Sequence, residues 1–239
     1  MSERIDQMGF GKLCLIQDPD EFCYGVDAVI LADFAAKTAK KKRAICDLGT
    51  GTGAIPLILS HKTEAERLTG IEVQKNSYEL ALRNVEMNGL SKRVEIMNLN
   101  VKDIKERDCY DVVTCNPPYA EGGKALLSSL DAKAIARHEI LGDLKDFMKA
   151  AARLLKDRGE LFMVHRPSRL VDIMCIGREL RLEPKTLRMV CPREGEAANI
   201  VLVHFIKGAG RELKVLPDLY VYCENGTYSD EIQSIYERE

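Results

Sequence analysis

Asp47-Leu48-Gly49-Thr50-Gly51-Thr52-Gly53 is flanked by two apolar runs, Ala44-Ile45-Cys46 before it and Ala54-Ile55-Pro56-Leu57-Ile58-Leu59 after it. The pattern reads as a buried strand, a glycine turn and a packed helix. Glycines at alternate positions leave the turn without Cβ atoms, so its backbone can take positive φ and let a ligand lie directly on it. The N–H groups that open the following helix have no intrahelical partner and face that ligand. The stretch therefore predicts a nucleotide-like cofactor at the carboxyl end of a central strand.

The spacing Gly49, Gly51, Gly53 is one residue tighter than the dinucleotide fingerprint Gly-x-Gly-x-x-Gly. Asp47 lies two residues ahead of the first glycine, where a carboxylate repels a pyrophosphate and attracts an ammonium group. A second acid, Glu72, ends the apolar run Leu68-Thr69-Gly70-Ile71-Glu72-Val73 and can accept hydrogen bonds from a ribose diol. Acid, glycine turn and ribose acid together resemble the S-adenosylmethionine pocket of class I methyltransferases.

A second informative stretch closes another apolar strand. Tyr110-Asp111-Val112-Val113-Thr114-Cys115 runs into Asn116-Pro117-Pro118-Tyr119. Each proline keeps the residue before it out of the α region, and neither offers an N–H. The loop is stiff and rich in acceptors, chiefly the Asn116 side-chain oxygen and the Pro117 carbonyl. A planar amino group has two hydrogens to give; two fixed acceptors take both and draw its nitrogen toward a tetrahedral, more nucleophilic shape. Tyr119 offers a face on which a flat base can stack, worth about 1–3 kcal/mol. Asn116, Pro117 and Tyr119 are thus the candidate catalytic residues, and Asn116 also borders the cofactor.

The rest of the chain alternates strands and helices. Residues 13–17 read as a strand, and Ala28–Ala36 as a buried helix with Asp27 as N-cap or, together with Tyr24 and Gly25, as an edge of the cofactor pocket. Lys40-Lys41-Lys42-Arg43 reads as a solvated turn or a phosphate contact. Gln74–Asn88 is predicted helical, with Tyr78, Ala81, Leu82 and Val85 on its buried face. The strand at 93–97 leads to Asn100 and Val101, candidates for holding an adenine ring or residues of a plain turn. Gly122-Gly123 suggests a loop or lid, and Arg137-His138-Glu139 a substrate contact or a structural helix end. The spacing predicts a helix over 143–156, a strand over 160–165, a helix over 168–180, and strands over 186–190 and 200–206. From Arg158 to Lys214 there are eleven Lys and Arg against seven Asp and Glu. Arg166, Arg169 and Arg193, near strand ends, are the expected phosphate contacts.

Composition sets outer limits. The chain has 239 residues, 46% of them hydrophobic, and a formal net charge of -2, which fits one α/β domain whose nucleic-acid contacts are local patches. No apolar run nears the roughly 20 residues of a membrane helix. The opening residues lack a basic head followed by an apolar block, so no secretory signal is expected. Eight scattered cysteines without Cys-x-x-Cys spacing argue against zinc and redox motifs and for a reducing cytoplasm.

Nearly the whole chain resembles the bacterial methyltransferases that modify N6 of adenine 37 in a valine tRNA. The likeness rests on Phe22-x-Tyr24-Gly25-x-Asp27-Ala28, Asp47–Gly53, Glu72, Asn116–Tyr119, Ala136-Arg137-His138-Glu139 and Leu219-Tyr220-Val221-Tyr222. It implies a Rossmann-like α/β fold: a seven-stranded, mostly parallel sheet with its last strand antiparallel and helices on both faces. It implies one methyltransferase domain over 1–239, with residues 1–40 capping the cofactor pocket and 41–239 forming the catalytic core. S-adenosylmethionine would be held by Tyr24, Asp27, Asp47, Gly49, Thr50, Gly51, Glu72, Asn100, Val101 and Asn116. The tRNA would meet Arg137, His138, Arg166, Arg169 and Arg193. A cytoplasmic monomer without metal is expected. Rival readings are methylation of ribosomal RNA or DNA amino groups, methylation of a protein glutamine amide, and a non-catalytic RNA-binding module.

Overall fold

The computed structural model describes residues 3–19, 23–39, 41–119 and 142–237. Phe22, Lys40, Gly122, Gly123, Arg137 and His138 lie outside the described residues. In chain order the elements are β1 (Arg4–Gln7), β2 (Cys14–Gln17), α1 (Val26–Ala39), β3 (Ala44–Leu48), α2 (Ala54–Lys62), β4 (Arg67–Glu72), α3 (Lys75–Met87), β5 (Val94–Asn98), β6 (Tyr110–Cys115), α4 (Leu144–Leu154), β7 (Leu155–His165), α5 (Leu170–Glu179), β8 (Leu182–Cys191), β9 (Ile200–Lys207), β10 (Lys214–Val215), β11 (Leu219–Tyr220) and α6 (Asp230–Ile235).

Every residue of β3 is buried, as a strand covered on both faces requires. It pairs in parallel with β4 on one side and β6 on the other. The main order is β5-β4-β3-β6-β7-β9-β8, with β9 antiparallel to both neighbours. The expected mostly parallel sheet with one late antiparallel strand is borne out, but the sheet has nine strands among the described residues rather than seven, because β10 and β11, two residues each, extend it along β8. Strand order reverses between β3 and β6, and the crevice beyond the carboxyl ends of such strands is where open α/β sheets take their ligands. One core joins α1, α2, α3 and α6 to one face of the sheet, and a second joins α4 and α5 to the other.

The amino-terminal hairpin β1–β2 is latched to α3 by two asparagines. Asn84, 0% exposed, gives its amide hydrogens to the carbonyls of Ile16 and Thr52 and takes one from Ile16 N. Asn88 exchanges hydrogen bonds with the Cys14 backbone. At the other end of the chain, Tyr222, Tyr228 and Tyr236 stack in succession, and Tyr236 stacks on Phe10. That column carries the Leu219–Tyr222 ending onto the hairpin side of the molecule.

Several local expectations need correction. Asp27 is the second residue of α1 rather than its N-cap. On α3 the buried side chains are Leu80, Ala81, Asn84 and Val85, whereas Leu82 is 40% exposed. The 3.6-residue period fits either leucine nearly as well, and the hairpin decides which face is covered. Helix α4 passes straight into β7 at Leu155, and residues 156–159 bulge between the pairs Tyr110–Leu155 and Val112–Glu160. Arg158, at φ 61, makes that bend.

Candidate active site

The glycine turn folds back onto β4. Gly49 N and Thr50 N both donate to the Ile71 carbonyl, at 2.9 and 3.0 Å. Gly49, Gly51 and Gly53 all have positive φ. At Gly49 a Cβ would meet the Phe147 ring at 3.1 Å, so this glycine also serves packing. At Gly51 a Cβ would meet nothing within 4 Å: here the bare backbone faces open space. Gly53 precedes α2 without a side-chain cap, leaving the first N–H groups of that helix to whatever enters.

Asp47 is 1% exposed, and Thr114 Oγ1 donates to its Oδ1 at 2.7 Å. Its Oδ2 and the Thr50 hydroxyl are buried and make no well-aligned hydrogen bond. Burial pushes the Asp47 carboxyl up to about 7, the Thr114 and Thr50 hydroxyls opposing the rise and the neighbouring Glu72 adding to it. Glu72 ends β4; its Oε2 accepts from Gly51 N at 2.9 Å and its Oε1 from Gln74 N at 2.8 Å. Burial raises this carboxyl as well, against the pull of those amides. The carboxylate is an acceptor of the kind a ribose diol needs. A buried carboxylate oxygen without a well-aligned partner, a Cβ-free turn and a second carboxylate on the next strand form a donor and acceptor set that fits S-adenosylmethionine.

Next along the sheet edge, Asn100 caps a short turn, Val101–Asp103, by accepting from Lys102 N at 3.0 Å. The Val101 side chain is buried in the core shared with α4. Tyr24 N donates to Gln17 Oε1 at 2.9 Å, joining the approach to α1 to the end of β2.

Beyond β6 the acceptor loop is cross-linked to α1. Asn116 Nδ2 donates to Asp27 Oδ2 at 3.3 Å. The Tyr119 hydroxyl lies 3.1 Å from the same Asp27 oxygen and 2.8 Å from Asn116 Oδ1. Burial, with the Asp27 charge, pushes the Tyr119 phenol far above its ordinary value. Pro117 is buried and Pro118 exposed. His165 and Arg166 complete this end from the tip of β7. The His165 ring meets Tyr119 edge-on at 5.2 Å, and the Arg166 guanidinium lies over the Tyr119 ring at 4.9 Å. His165 is 2% exposed and is pushed down to about 4 by burial, with the Arg169 and Arg166 charges adding. Its Nδ1 accepts from Arg166 N at 2.8 Å, so the neutral ring carries its hydrogen on Nε2.

The fold brings Asp27, Asp47, the glycines, Glu72, Asn116, Tyr119 and Arg166 to one edge of the sheet. It does not leave the expected arginines equally available. Arg166 reaches the Asn199 carbonyl beside the site, while Arg169 pairs with Asp172 and Arg193 with Glu196, each within its own turn. Much of the basic surplus is likewise matched, Arg178 by Glu183, Arg188 by Glu231 and Lys207 by Asp108. The Lys41–Arg43 run sits at the amino end of β3, away from the site, where Lys42 meets Glu160 and Arg43 meets Glu66. His165 is the neighbour that pattern reading missed. Its one signal was its place at the tip of the strand beside β6.

Residues 26–172 match the family described as Methyltransferase small domain. The chain belongs to this family. The match spans the glycine turn, the Asn-Pro-Pro-Tyr loop and the His165–Arg166 tip, so the motif resemblance is borne out. Among relatives of the small-domain methyltransferases, a protein of Aeromonas hydrophila named tRNA1(Val) (adenine(37)-N6)-methyltransferase is 29% identical over 207 residues, covering 86% of this chain and 85% of that one. A protein of the same name from Dyadobacter fermentans is 27% identical over 234 residues, 92% and 91% of the two chains. The crystal structure of a predicted O-methyltransferase from Agrobacterium tumefaciens superposes with a TM-score of 0.71 at 23% identity, covering 88% of this chain and 95% of that one, a likeness of fold. No helix among the described residues is long and apolar enough to cross a membrane.

Proposed function

We propose that this methyltransferase moves a methyl group from S-adenosylmethionine to N6 of adenine 37 in a valine tRNA. The carrying observation is the placement of Asn116 and Tyr119 at the tip of β6, next to β3, whose own tip bears Asp47 and the glycine turn. The names of the relatives point to the same acceptor.

In this reading Asp47 meets the cofactor's ammonium group, the Gly49–Gly51 backbone and Thr50 lie along its chain, and Glu72 takes its ribose. Asn100 and Val101 border the adenine, and Tyr24 closes the pocket. The bound cofactor supplies an electrophilic methyl group on a sulfonium. Asn116 Oδ1 and the Pro117 carbonyl accept the two hydrogens of the target amine and aim its lone pair at that carbon. With the cofactor bound, the amine lone pair would take the methyl carbon as the sulfur keeps the S–C pair, and the surplus amine proton would pass to water. Fixing reactants in line is worth about 7–11 kcal/mol in well-oriented systems, so no strong base is needed before transfer. The target adenine must leave its stack to reach the site, and the Tyr119 face receives it. Arg166 is placed to meet an adjoining phosphate; Arg169 and Arg193 would first have to leave their acids, and Arg137 and His138 belong to the same proposed surface. The protein works as one domain and as a cytoplasmic monomer without metal.

Labelled S-adenosylmethionine and purified protein, given valine tRNA with adenine or guanine at position 37, test the proposal. Label should enter the first RNA alone and appear as N6-methyladenine after nucleoside analysis. Preferential labelling of ribosomal RNA, DNA or a release factor would move the enzyme to that acceptor. No turnover on any of them would favour a binding module.

A further inference from the structure

We infer that Asp27 is a positioning residue of the acceptor clamp, setting the orientation of Asn116 and Tyr119, and not a ligand of the cofactor. The inference rests on the proposed amine methylation and deepens it.

Asp27 is 9% exposed and stands 89 positions before Asn116, yet its Oδ2 is the point where the loop is fastened. Asn116 Nδ2 and the Tyr119 hydroxyl both reach that one atom, at 3.3 and 3.1 Å. The other oxygen, Oδ1, accepts from Ala28 N at 2.9 Å, which pins the carboxylate to the first turn of α1.

A carboxylate can only accept. An asparagine amide has nearly equal ends, and a buried acceptor on one side decides which end turns there. Asp27 therefore draws Nδ2 toward α1 and leaves Oδ1 on the opposite side, where a substrate amine can use it. Donation by Nδ2 to an anion also polarises the amide and makes Oδ1 a stronger acceptor. Tyr119 has one hydroxyl hydrogen and two acceptors within reach. While the site is free of substrate, Asn116 Oδ1 at 2.8 Å is the nearer one. When an amine claims that oxygen, the phenol hydrogen can turn to Asp27 without moving the ring. The same carboxylate thus keeps Tyr119 fixed before and after substrate enters.

Gly25 makes room for this arrangement. A Cβ there would stand 2.9 Å from Asp27 Oδ1, inside the distance real Cβ atoms keep. An alanine would push the carboxylate off its partners while leaving the glycine turn and Glu72 untouched.

The test compares Asp27→Ala, Asp27→Asn and Gly25→Ala with wild type, alone and in an Asn116→Ala background. Calorimetry reads S-adenosylmethionine affinity, and saturating assays read kcat. We expect Asp27→Ala to lower kcat about 10- to 100-fold, the range for losing a charge-assisted hydrogen bond, with cofactor affinity within about twofold. Asp27→Asn, which keeps one acceptor, and Gly25→Ala should fall between. Asp27→Ala should cost much less once Asn116 is alanine, only the share that acts through Tyr119 remaining. A tenfold or greater loss of cofactor affinity with kcat unchanged at saturation would overturn the inference and return Asp27 to the cofactor pocket.

A second measurement needs no acceptor. The Asn116 side-chain amide resonances, assigned by their loss in Asn116→Ala, should move toward solvent-exposed values in Asp27→Ala and in Gly25→Ala. Unmoved resonances overturn the inference even if the tRNA is not the substrate. Wild-type inactivity with moved resonances would instead fault the proposed function alone. Should Asp27→Ala fail to fold, Gly25→Ala decides the question by the same readouts.

Discussion

The Arg166 guanidinium lies 4.9 Å from the centre of the Tyr119 ring, on a face that a flipped base would use. A cation over an aromatic face contributes about 0.5–2 kcal/mol, comparable to one base stack, so a base can displace it without a large penalty. Once displaced, the arginine is free to meet a phosphate. Arg166→Ala is expected to raise KM for tRNA several-fold with little effect on kcat. It should also reduce the salt slope of tRNA binding by about one, the mark of one lost phosphate contact. Binding measured from low to moderate salt checks this, and an unchanged slope would show that Arg166 touches no phosphate.

Asn116→Ala removes the side-chain acceptor but leaves the Asp47, Gly51 and Glu72 set intact. The expected outcome is a loss of kcat of at least about 100-fold, in line with removing a group that acts at the transition state. Cofactor affinity should stay within about twofold. Joint loss of both would assign the loop a structural role only.

If Asp47 meets the cofactor's ammonium group as proposed, cofactor binding gains a pH dependence of known sign. Burial raises its carboxyl from 3.8 to about 7 in the free protein. An incoming ammonium favours the ionised form, so the protonated fraction must give up its proton on binding. Affinity for S-adenosylmethionine should therefore be level above pH 7 and weaken as pH falls below it, by up to about tenfold per unit. Folding responds in the opposite direction. A carboxyl raised by burial supports stability most fully below 3.8, and that support is lost as pH rises through about 7. Calorimetry across this range should show proton release on binding, and Asp47→Asn should flatten the profile while binding weakly throughout.

Glu160 predicts acid lability. Burial works against its charge, but the His204 and Lys42 partners outweigh it and hold the carboxyl down at about 2. The stability it adds is complete above its unfolded value of 4.5 and is lost as pH falls from there toward 2. Glu160→Gln should lower Tm at pH 7 by about 4–8 °C, the shift expected for roughly 2 kcal/mol in a chain of this size. The difference from wild type should shrink as pH drops below 4.5. A constant difference across that range would place the effect in packing rather than charge.

The legible parts were those whose physics is local. Gly49, Gly51 and Gly53 take positive φ because the turn between β3 and α2 leaves no other path. Pro117 and Pro118 stiffen their loop whatever lies around it. The fully buried Ala44–Leu48 run had to be a central strand. These stretches alone determined the fold class, the cofactor end of the sheet and the stiffness of the Asn116–Tyr119 loop.

Contacts across long separations belonged to the tertiary structure. Whether Leu80 or Leu82 faced inward depended on the hairpin that Asn84 holds. Whether Arg166 or Arg193 stood at the site depended on which acid or ring lay nearby. Asp27 looked like a helix cap because nothing near it in the chain announces Asn116 or Tyr119. A side chain's type limits the bonds it can make, but only the closing of the sheet brings β6 and β7 against α1 and settles which of those bonds exist.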